Sequence, residues 1–405
     1  MAKVWRTVSG DASPRTGLVL SGGGARGAYE VGVVAGIIEV LGLTDADQAP
    51  FSIFCGSSVG AVNSAFFASM GHRGDLGIDR LKDVWRSLDI GTHLSVAPKN
   101  LWKPPKDPTP GSREYGPRLL DPVPLSLHIR DAIEWDRIGR NIDASTVHAL
   151  VVTALDVADG VTTMFAHTAP NVPFEPSRDP RRRAVDGPVG PDEILASAAI
   201  PFLFPGRKVG ARHFVDGSLR FNTPIAPALR SGADRLVVVN LITQHPPSSS
   251  DLHAESPYPD AVFLAGKMLT ALLLDPVGYD LQVLERFNKL LATLDEVLTP
   301  QERLRIDDVM RKVRGVAYRH VDSLVVRPSA DIGRIAGEHV RRLRESGAFS
   351  WAFSMLLERI DKGEEDWEAD WASFLLFDGD FAEALIDMGR RDLHARADEV
   401  RMFFG

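Results

Sequence analysis

Two strand–loop–helix units follow one another within the first 70 residues of this 405-residue chain. In the first unit, the apolar residues 18–20 lead into a glycine-rich loop, and residues 28–41 then carry aliphatic side chains at helical spacing. In the second, the apolar residues 51–55 lead into a tight turn, and the small and apolar residues after it predict another helix. This alternation predicts an α/β fold with a mainly parallel sheet.

Later apolar runs predict that the sheet continues well beyond these two units. The predicted strands are 148–155, 161–165, 213–216, 236–240 and 323–327. A proline- and serine-rich loop at 244–260 separates a sheet-rich domain, residues 16–240, from a mainly helical region, residues 261–405. We expect the late strand at 323–327 to rejoin the first sheet. The amphipathic helices after residue 261 could hold a second subunit, so a homo-oligomer stays open.

Periodicity weakens between residues 71 and 140, where only 81–88 is predicted as a short helix. Residues 97–110 are rich in proline, lysine and tryptophan, and a loop of this length is usually a cover over a site or a mobile segment. Leu101 and Trp102 within it could touch an apolar ligand, or could simply pack locally on the surface.

Composition excludes several classes of protein. A net charge of −8 argues against nucleic acid as a partner. Residues 1–17 lack the apolar core of a signal peptide, and polar residues interrupt the longest uncharged run, 51–70. We therefore expect a cytoplasmic protein without a transmembrane helix, able to touch a membrane only peripherally. Cys55 is the only cysteine, so no intramolecular disulfide can form, and no calcium-loop pattern occurs, so neither metal nor cofactor is expected.

The glycine-rich loop at 22–27 is a candidate anion site. Gly22, Gly23, Gly24 and Gly27 leave backbone N–H groups accessible, and the helix that follows adds the positive end of its dipole. Arg26 could add a positive side chain. The loop alone does not distinguish a phosphate from an oxyanion.

The same loop fits G-x-G-x-x-G, the pattern of a dinucleotide-binding domain. That fold needs an acidic residue at the end of the second strand, about 20 residues further on. Asp45 and Asp47 stand at this distance, but they precede the strand at 51–55. The dinucleotide interpretation is therefore disfavoured.

A second motif, G-x-S-x-G, occupies residues 56–60 and places Ser58 between a predicted strand and a predicted helix. This context is typical of a nucleophile elbow, in which Gly56 and Gly60 relieve crowding around a sharply turned serine. A serine needs a base to remove its proton. Asp216, followed by Gly217, stands at the carboxyl end of a strand that we predict to be parallel, so it could project at the same sheet edge as Ser58.

Histidine is the usual base for a serine nucleophile, and the histidines after the elbow include His213, His245 and His253. None of the three occupies a position that the sequence explains. An α/β-hydrolase with a serine–histidine–carboxylate triad nevertheless stays an alternative.

Taken in order, GGGARG at 22–27, GSSVG at 56–60, ASAAIP at 196–201 and DGS at 216–218 resemble the patatin-like phospholipase family over residues 16–240. The resemblance implies a three-layer α/β/α fold with a mainly parallel central sheet and a helical C-terminal extension. It implies a Ser58–Asp216 dyad and an oxyanion hole at Gly22, Gly23 and Gly24, assisted by Arg26.

The activity implied by the resemblance is that of a lipid acyl hydrolase, of the phospholipase A or lysophospholipase type, which acts on an acyl lipid through a covalent acyl-enzyme. Ser218 departs from the glycine or alanine usual at its place in the family, but its side chain is small and we expect little effect. A lipid-binding protein that kept the fold and lost turnover is a further alternative.

Overall fold

The computed structural model describes residues 14–96, 114–170, 172, 174, 177–243, 276–314, 317–345 and 372–405. The predicted cover loop at 97–110, the linker at 244–260, and His245 and His253 within it lie outside the described residues.

The described strands and helices alternate through the first half of the chain. The strands are β1 Thr16–Leu20, β2 Ile53–Ser57, β3 Ser95–Val96, β4 Glu114–Tyr115, β5 Leu120–Asp121, β6 Ala149–Asp156, β7 Thr162–Thr168, β8 Arg182–Asp186, β9 Gly206–Val209, β10 Arg212–Asp216, β11 Arg235–Val239 and β12 Asp322–Val326. The helices are α1 Ala28–Leu41, α2 Val59–Ser69, α3 Ile78–Arg86, α4 Ile90–His93, α5 Val123–Ala132, α6 Trp135–Asp143, α7 Pro191–Ser197, α8 Ile225–Arg230, α9 Pro276–Val297, α10 Pro300–Arg314, α11 Ile332–Glu345, α12 Gly379–His394 and α13 Ala397–Phe404.

Five strands form the parallel centre of the sheet, in the order β12-β11-β1-β2-β6. These strands are apolar along most of their length because helices cover both faces. Leu18 and Phe54 pack in the cluster that includes α1 and α2, whereas Val19 and Cys55 pack in the cluster that includes α8. The predicted α/β fold with a mainly parallel sheet is confirmed, and it has the three layers that the resemblance implied.

The sheet becomes antiparallel beyond β6. Strands β7 and β10 both pair with β6 in the antiparallel sense, and β9 and β4 continue the sheet outward from β10. Here one expectation was wrong, because Asp216 ends an antiparallel strand and not a parallel one. The short connection from β9 to β10 also makes these two strands antiparallel to each other, as a hairpin requires.

The C-terminal part of the chain returns to the sheet and to its helical layer. Strand β12 extends the parallel sheet next to β11. Helix α12 packs along α1, where the Tyr29 hydroxyl donates to Asp392 Oδ2 at 2.8 Å. The division into a domain at 16–240 and a region at 261–405 stays a prediction. Within the described residues, no helix combines the length and the apolar character that crossing a bilayer requires.

Candidate active site

Ser58 occupies the sharp turn between β2 and α2, as the G-x-S-x-G motif predicts. Its backbone has φ 54° and ψ −126°, and a positive φ is uncommon for a residue with a side chain. The Ser58 N–H donates to Ser197 Oγ at 2.9 Å, which holds the turn against the end of α7. The elbow is thus a strained conformation that its surroundings fix, as is common at functional sites.

The glycines of the elbow allow the backbone segments around Ser58 to approach each other closely. A Cβ on Gly56 would lie 2.1 Å from the Gly60 carbonyl oxygen, and one on Gly60 would lie 2.5 Å from the Leu20 carbonyl oxygen. Neither contact can be relieved by rotating a side chain, since both partners are backbone atoms. The motif therefore requires glycine at both positions for reasons of packing alone.

Replacing Gly56 with alanine should lower the free energy of unfolding by about 1–3 kcal/mol, because the new methyl group forces the elbow apart. Urea unfolding of the purified variant would measure the change. Gly139 offers a matched control within α6, since a Cβ there would meet nothing closer than His167 Cε1 at 4.0 Å. Gly139→Ala should be neutral or mildly stabilising. An unchanged unfolding midpoint for Gly56→Ala would contradict the close approach.

Two strands that run in opposite directions bring Ser58 and Asp216 together. Strand β2 pairs with β6 as far as Ser57 opposite Thr153, and β10 pairs with it as far as Asp216 opposite Ala154. Because β7 covers the other edge of β6 over this range, β2 and β10 share one edge and meet end to end. Their carboxyl ends therefore face each other at consecutive residues of β6.

The meeting of the two strands produces a short, buried hydrogen bond. Ser58 Oγ donates to Asp216 Oδ2 at 2.6 Å, and the Ser218 N–H donates to the other carboxylate oxygen, Oδ1, at 2.8 Å. Ser58 is 3% exposed and Asp216 is fully buried. Burial raises the pKa of Asp216 to about 6, although the hydrogen bonds from Ser58 and Ser218 favour the charged form and oppose this rise. The arrangement places a serine hydroxyl in direct contact with a buried carboxylate.

Several buried hydroxyl groups hydrogen-bond to one another next to Ser58 and Asp216. Thr153 Oγ1 donates to Ser57 Oγ at 2.9 Å, and Ser57 Oγ lies 3.2 Å from Ser218 Oγ. Ser218, the residue that departs from the family pattern, therefore has a hydroxyl partner at its buried position. Gly217, next to it, packs against Thr153.

The glycine loop lies beside the dyad, but its members have different surroundings. The Gly22 N–H donates to Asn222 Oδ1 at 2.5 Å, whereas Gly24 lines the same cavity as Ser58. Gly24 has φ 57°, and a Cβ there would lie 2.1 Å from the Phe374 carbonyl oxygen. Within the described residues, the N–H groups of Gly23 and Gly24 meet no acceptor. These two groups are the members of the loop best placed to receive a new negative charge.

Arg26 lies against the C-terminal segment. Its Nε donates to Ser373 Oγ at 2.7 Å, and its guanidinium carbon lies 4.3 Å from the centre of the Phe374 ring. Arg26 is not among the residues that line the cavity beside Ser58. Through these contacts Arg26 holds the glycine loop against residues 373–374. Gly27, at the end of the loop, packs against Val59 of the elbow helix.

An apolar cavity opens at Ser58. Its walls come from the elbow helix, from α3 and α5, and from the segment that leads into β9. Aliphatic and aromatic side chains dominate the lining, among them Val62, Phe66, Leu81, Trp85, Ile129, Leu195 and Phe204. Polar groups are few, and Arg207 donates to Ser126 Oγ at 3.1 Å within this wall. A cavity of this kind suits a hydrocarbon chain whose polar end lies at Ser58.

Within the described part of the chain, no histidine hydrogen-bonds to Ser58. His213 packs edge-on against Tyr115 with ring centres 4.7 Å apart, in a separate surface groove. His128 lines the Ser58 cavity, but its Nε2 lies 3.2 Å from the Val84 carbonyl oxygen. In the same described residues, the side-chain hydrogen bond of Ser58 goes to Asp216.

The sequence model of the patatin-like phospholipase family matches residues 18–229, just over half of the chain. The chain belongs to this family. The match spans the glycine loop, the elbow and Asp216, and the resemblance noted from the sequence is confirmed. Members of the family are serine hydrolases, and the family implies lipid acyl hydrolase activity on a lipid substrate.

The crystal structure of VipD from Legionella pneumophila is also similar to this patatin-like chain. The two are 12% identical, with a TM-score of 0.31, and the alignment covers 93% of this chain and 67% of VipD. A search of curated proteins found no match.

Several buried partners of the patatin-like motifs escaped sequence reasoning. They are Glu30, Asn63, Ser197 and Asn222. Asn222 carries no signal of its own, because polar residues of this kind are common near turns. Ser197 lies within the ASAAIP segment, but nothing in that segment indicates a hydrogen bond to the Ser58 N–H. Glu30 does carry one, since it is an acid near the start of a helix that is otherwise mainly apolar up to Ile38. Among the described residues, no cluster of three or more histidine, cysteine, aspartate or glutamate side chains could hold a metal ion.

Proposed function

We propose that this protein hydrolyses carboxylic esters of acyl lipids, with Ser58 as nucleophile and Asp216 as its base. One observation carries the proposal: the 2.6 Å hydrogen bond from Ser58 Oγ to Asp216 Oδ2 lies at an apolar cavity. A carboxylate that accepts the proton of a strained, buried serine supplies what nucleophilic catalysis needs.

The reaction would proceed in two halves. In the first, Ser58 Oγ forms a bond to the ester carbonyl carbon while its proton moves to Asp216 Oδ2. The tetrahedral intermediate then loses its alcohol, which takes the proton from Asp216. In the second half, water attacks the acyl-enzyme, Asp216 accepts a proton from it, and Ser58 leaves with that proton as the fatty acid is released.

Negative charge on the carbonyl oxygen would be held by the glycine loop. The N–H groups of Gly23 and Gly24 support this role, since they meet no acceptor in the described part of the chain and Gly24 lines the cavity. Gly22 contributes indirectly, because its N–H is held by Asn222. Arg26 would position the loop through Ser373 and not contact the oxyanion itself.

The lining of the cavity supports an acyl chain as the group that is transferred. Side chains such as Phe66, Trp85 and Phe204 offer apolar surface and no charge, so a long hydrocarbon would gain from leaving water. A phospholipid or lysophospholipid fits both this lining and the family. Peripheral contact with a membrane, a cytoplasmic location and a homo-oligomer remain predictions.

A direct test incubates the purified protein with a panel of phospholipids, lysophospholipids and neutral esters, and identifies released fatty acids by mass spectrometry. A fluorophosphonate probe applied in parallel should label Ser58 covalently. Labelling without fatty acid release from any lipid would point to another ester class. Absence of both would favour the inactive lipid-binding alternative.

The pH dependence of the reaction should report Asp216. Because the base must be ionised, kcat/KM should fall by about tenfold per pH unit below the pKa of about 6 and level off above it. Steady-state rates with a short soluble ester would measure this pH dependence, because such a substrate forms no lipid surface that pH could also alter. A rate that stays constant well below pH 6 would contradict Asp216 as the base.

A further inference from the structure

Glu30 is a fully buried acid directly beneath the glycine loop. It lies in the first turn of α1, and both of its carboxylate oxygens accept hydrogen bonds. Oε1 accepts from the Ser21 backbone N–H at 2.8 Å, and Oε2 accepts from Asn63 Nδ2 at 2.9 Å. Ser21 is the residue immediately before Gly22, so Glu30 Oε1 fixes the position at which the loop begins.

Asn63 connects the other oxygen to the exit of the loop. It lies on the elbow helix α2, and its Nδ2 also donates to the Gly27 carbonyl oxygen at 3.0 Å. Its Oδ1 accepts from Trp85 Nε1 at 3.2 Å. These contacts fix the orientation of the amide, because a flipped amide would set donor against donor at Trp85 and acceptor against acceptor at Gly27.

We propose that Glu30 is a positioning residue, which fixes the glycine loop relative to Ser58 by tying both ends of the loop to the elbow helix. This role rests on the proposed function, since it matters for catalysis only if the loop receives the oxyanion. Oxyanion stabilisation depends on donors whose positions are set before the reaction begins. Glu30 supplies that rigidity through its hydrogen bonds to Ser21 and Asn63, without touching the substrate.

The cost of burying Glu30 supports a positional role. Burial raises the pKa of Glu30 well above its usual range, while the two N–H donors oppose the shift. No cation contacts this carboxyl group within the described residues. An apolar side chain would fill the same place in the helix core without this desolvation cost, so the carboxyl group is explained by the two hydrogen bonds it receives.

Two substitutions separate the role of the hydrogen bonds from that of the volume. Glu30→Leu keeps most of the volume and removes both acceptors. Glu30→Gln keeps one acceptor oxygen and therefore one of the two contacts. Glu39→Gln is the matched control on the same helix, since Glu39 lies near its end and pairs with Arg390 and His394.

The decisive measurement is hydrogen exchange of the full-length protein, read by mass spectrometry in peptides that cover residues 21–27. In Glu30→Leu these amides should exchange roughly tenfold faster or more, as expected when a buried hydrogen bond is lost, and Glu30→Gln should lie between it and the wild type. Glu39→Gln should exchange like the wild type. This readout needs no enzymatic activity, so it is independent of the proposed function.

Kinetics then link the loop to catalysis. With a soluble ester, kcat of Glu30→Leu should fall by about 10²-fold with little change in KM, and Glu30→Gln should recover part of the loss. Faster exchange in a protein that hydrolyses no ester would leave the positioning intact and refute the proposed function. Wild-type exchange at 21–27 in folded Glu30→Gln and Glu30→Leu would overturn the positioning role, as would faster exchange with an unchanged kcat in an active enzyme.

Discussion

Replacing Ser58 with alanine is expected to lower the rate of acyl ester hydrolysis by about 10⁴-fold or more and to remove covalent labelling by a fluorophosphonate. The substitution deletes the one oxygen that lies 2.6 Å from the Asp216 carboxylate at the apolar cavity. Alanine keeps the Cβ and so leaves the packing of the elbow as it is. Fatty acid release and probe labelling, measured on the same preparation, would check both effects.

Ser64 provides a matched control for that experiment. It lies on the same elbow helix and is also buried, but its hydroxyl has no hydrogen-bond partner within the described part of the chain. Ser64→Ala should therefore keep wild-type activity and labelling. Similar thermal unfolding of both variants would show that the loss at Ser58 is chemical. Normal turnover by purified Ser58→Ala would refute Ser58 as nucleophile.

The first half of the site could be predicted from sequence because its signals are local. The strand at β1 and the glycine loop are adjacent in the chain, and so are β2, Ser58 and α2. Apolar periodicity and glycine placement report such short-range structure directly. The position of Ser58 at a strand-to-helix turn followed from residues within a few places of it.

The second half depends on pairing between distant segments, which local patterns do not encode. Nothing near Asp216 reveals that β10 is antiparallel or that its end faces the end of β2 across one edge of β6. Similarly, Arg26 donates to a serine 347 residues away in sequence. The sequence therefore predicted that Ser58 and Asp216 lie close together, but not how the fold brings them there.

Weak periodicity also hid regular structure in two parts of the chain. Residues 71–140 contain α3 to α5 and most of α6, although only one short helix was expected there. Strand β8 is not among the predicted strands, because its sequence RRAVD is mostly polar. An edge strand that is half exposed has no continuous apolar run, so the pattern typical of a buried strand is missing.

Asparagine at position 216 should lower kcat by about 10²–10⁴-fold, because an amide cannot accept the proton of Ser58. Asparagine has the same shape as aspartate. Its single side-chain oxygen can still accept a hydrogen bond from the Ser218 N–H, which in the wild type donates to Asp216 Oδ1 at 2.8 Å. The amide NH2 would then face Ser58 Oγ as a donor. Burial raises the pKa of Asp216 to about 6, which means that the charged carboxylate is costly to bury at neutral pH. A neutral asparagine avoids this cost, so Asp216→Asn should be at least as thermally stable as the wild type at neutral pH.

The same substitution distinguishes the dyad from a histidine triad when it is compared with histidine variants. In a dyad, Asp216→Asn loses both the rate and the inflection near pH 6, while His128→Gln, His213→Gln, His245→Gln and His253→Gln keep the rate within a few fold. In a triad, one histidine variant would lose as much as Asp216→Asn, since a serine–histidine pair fails when either member is removed. Because the Ser58 hydroxyl donates its hydrogen bond directly to the Asp216 carboxylate, we expect the first pattern.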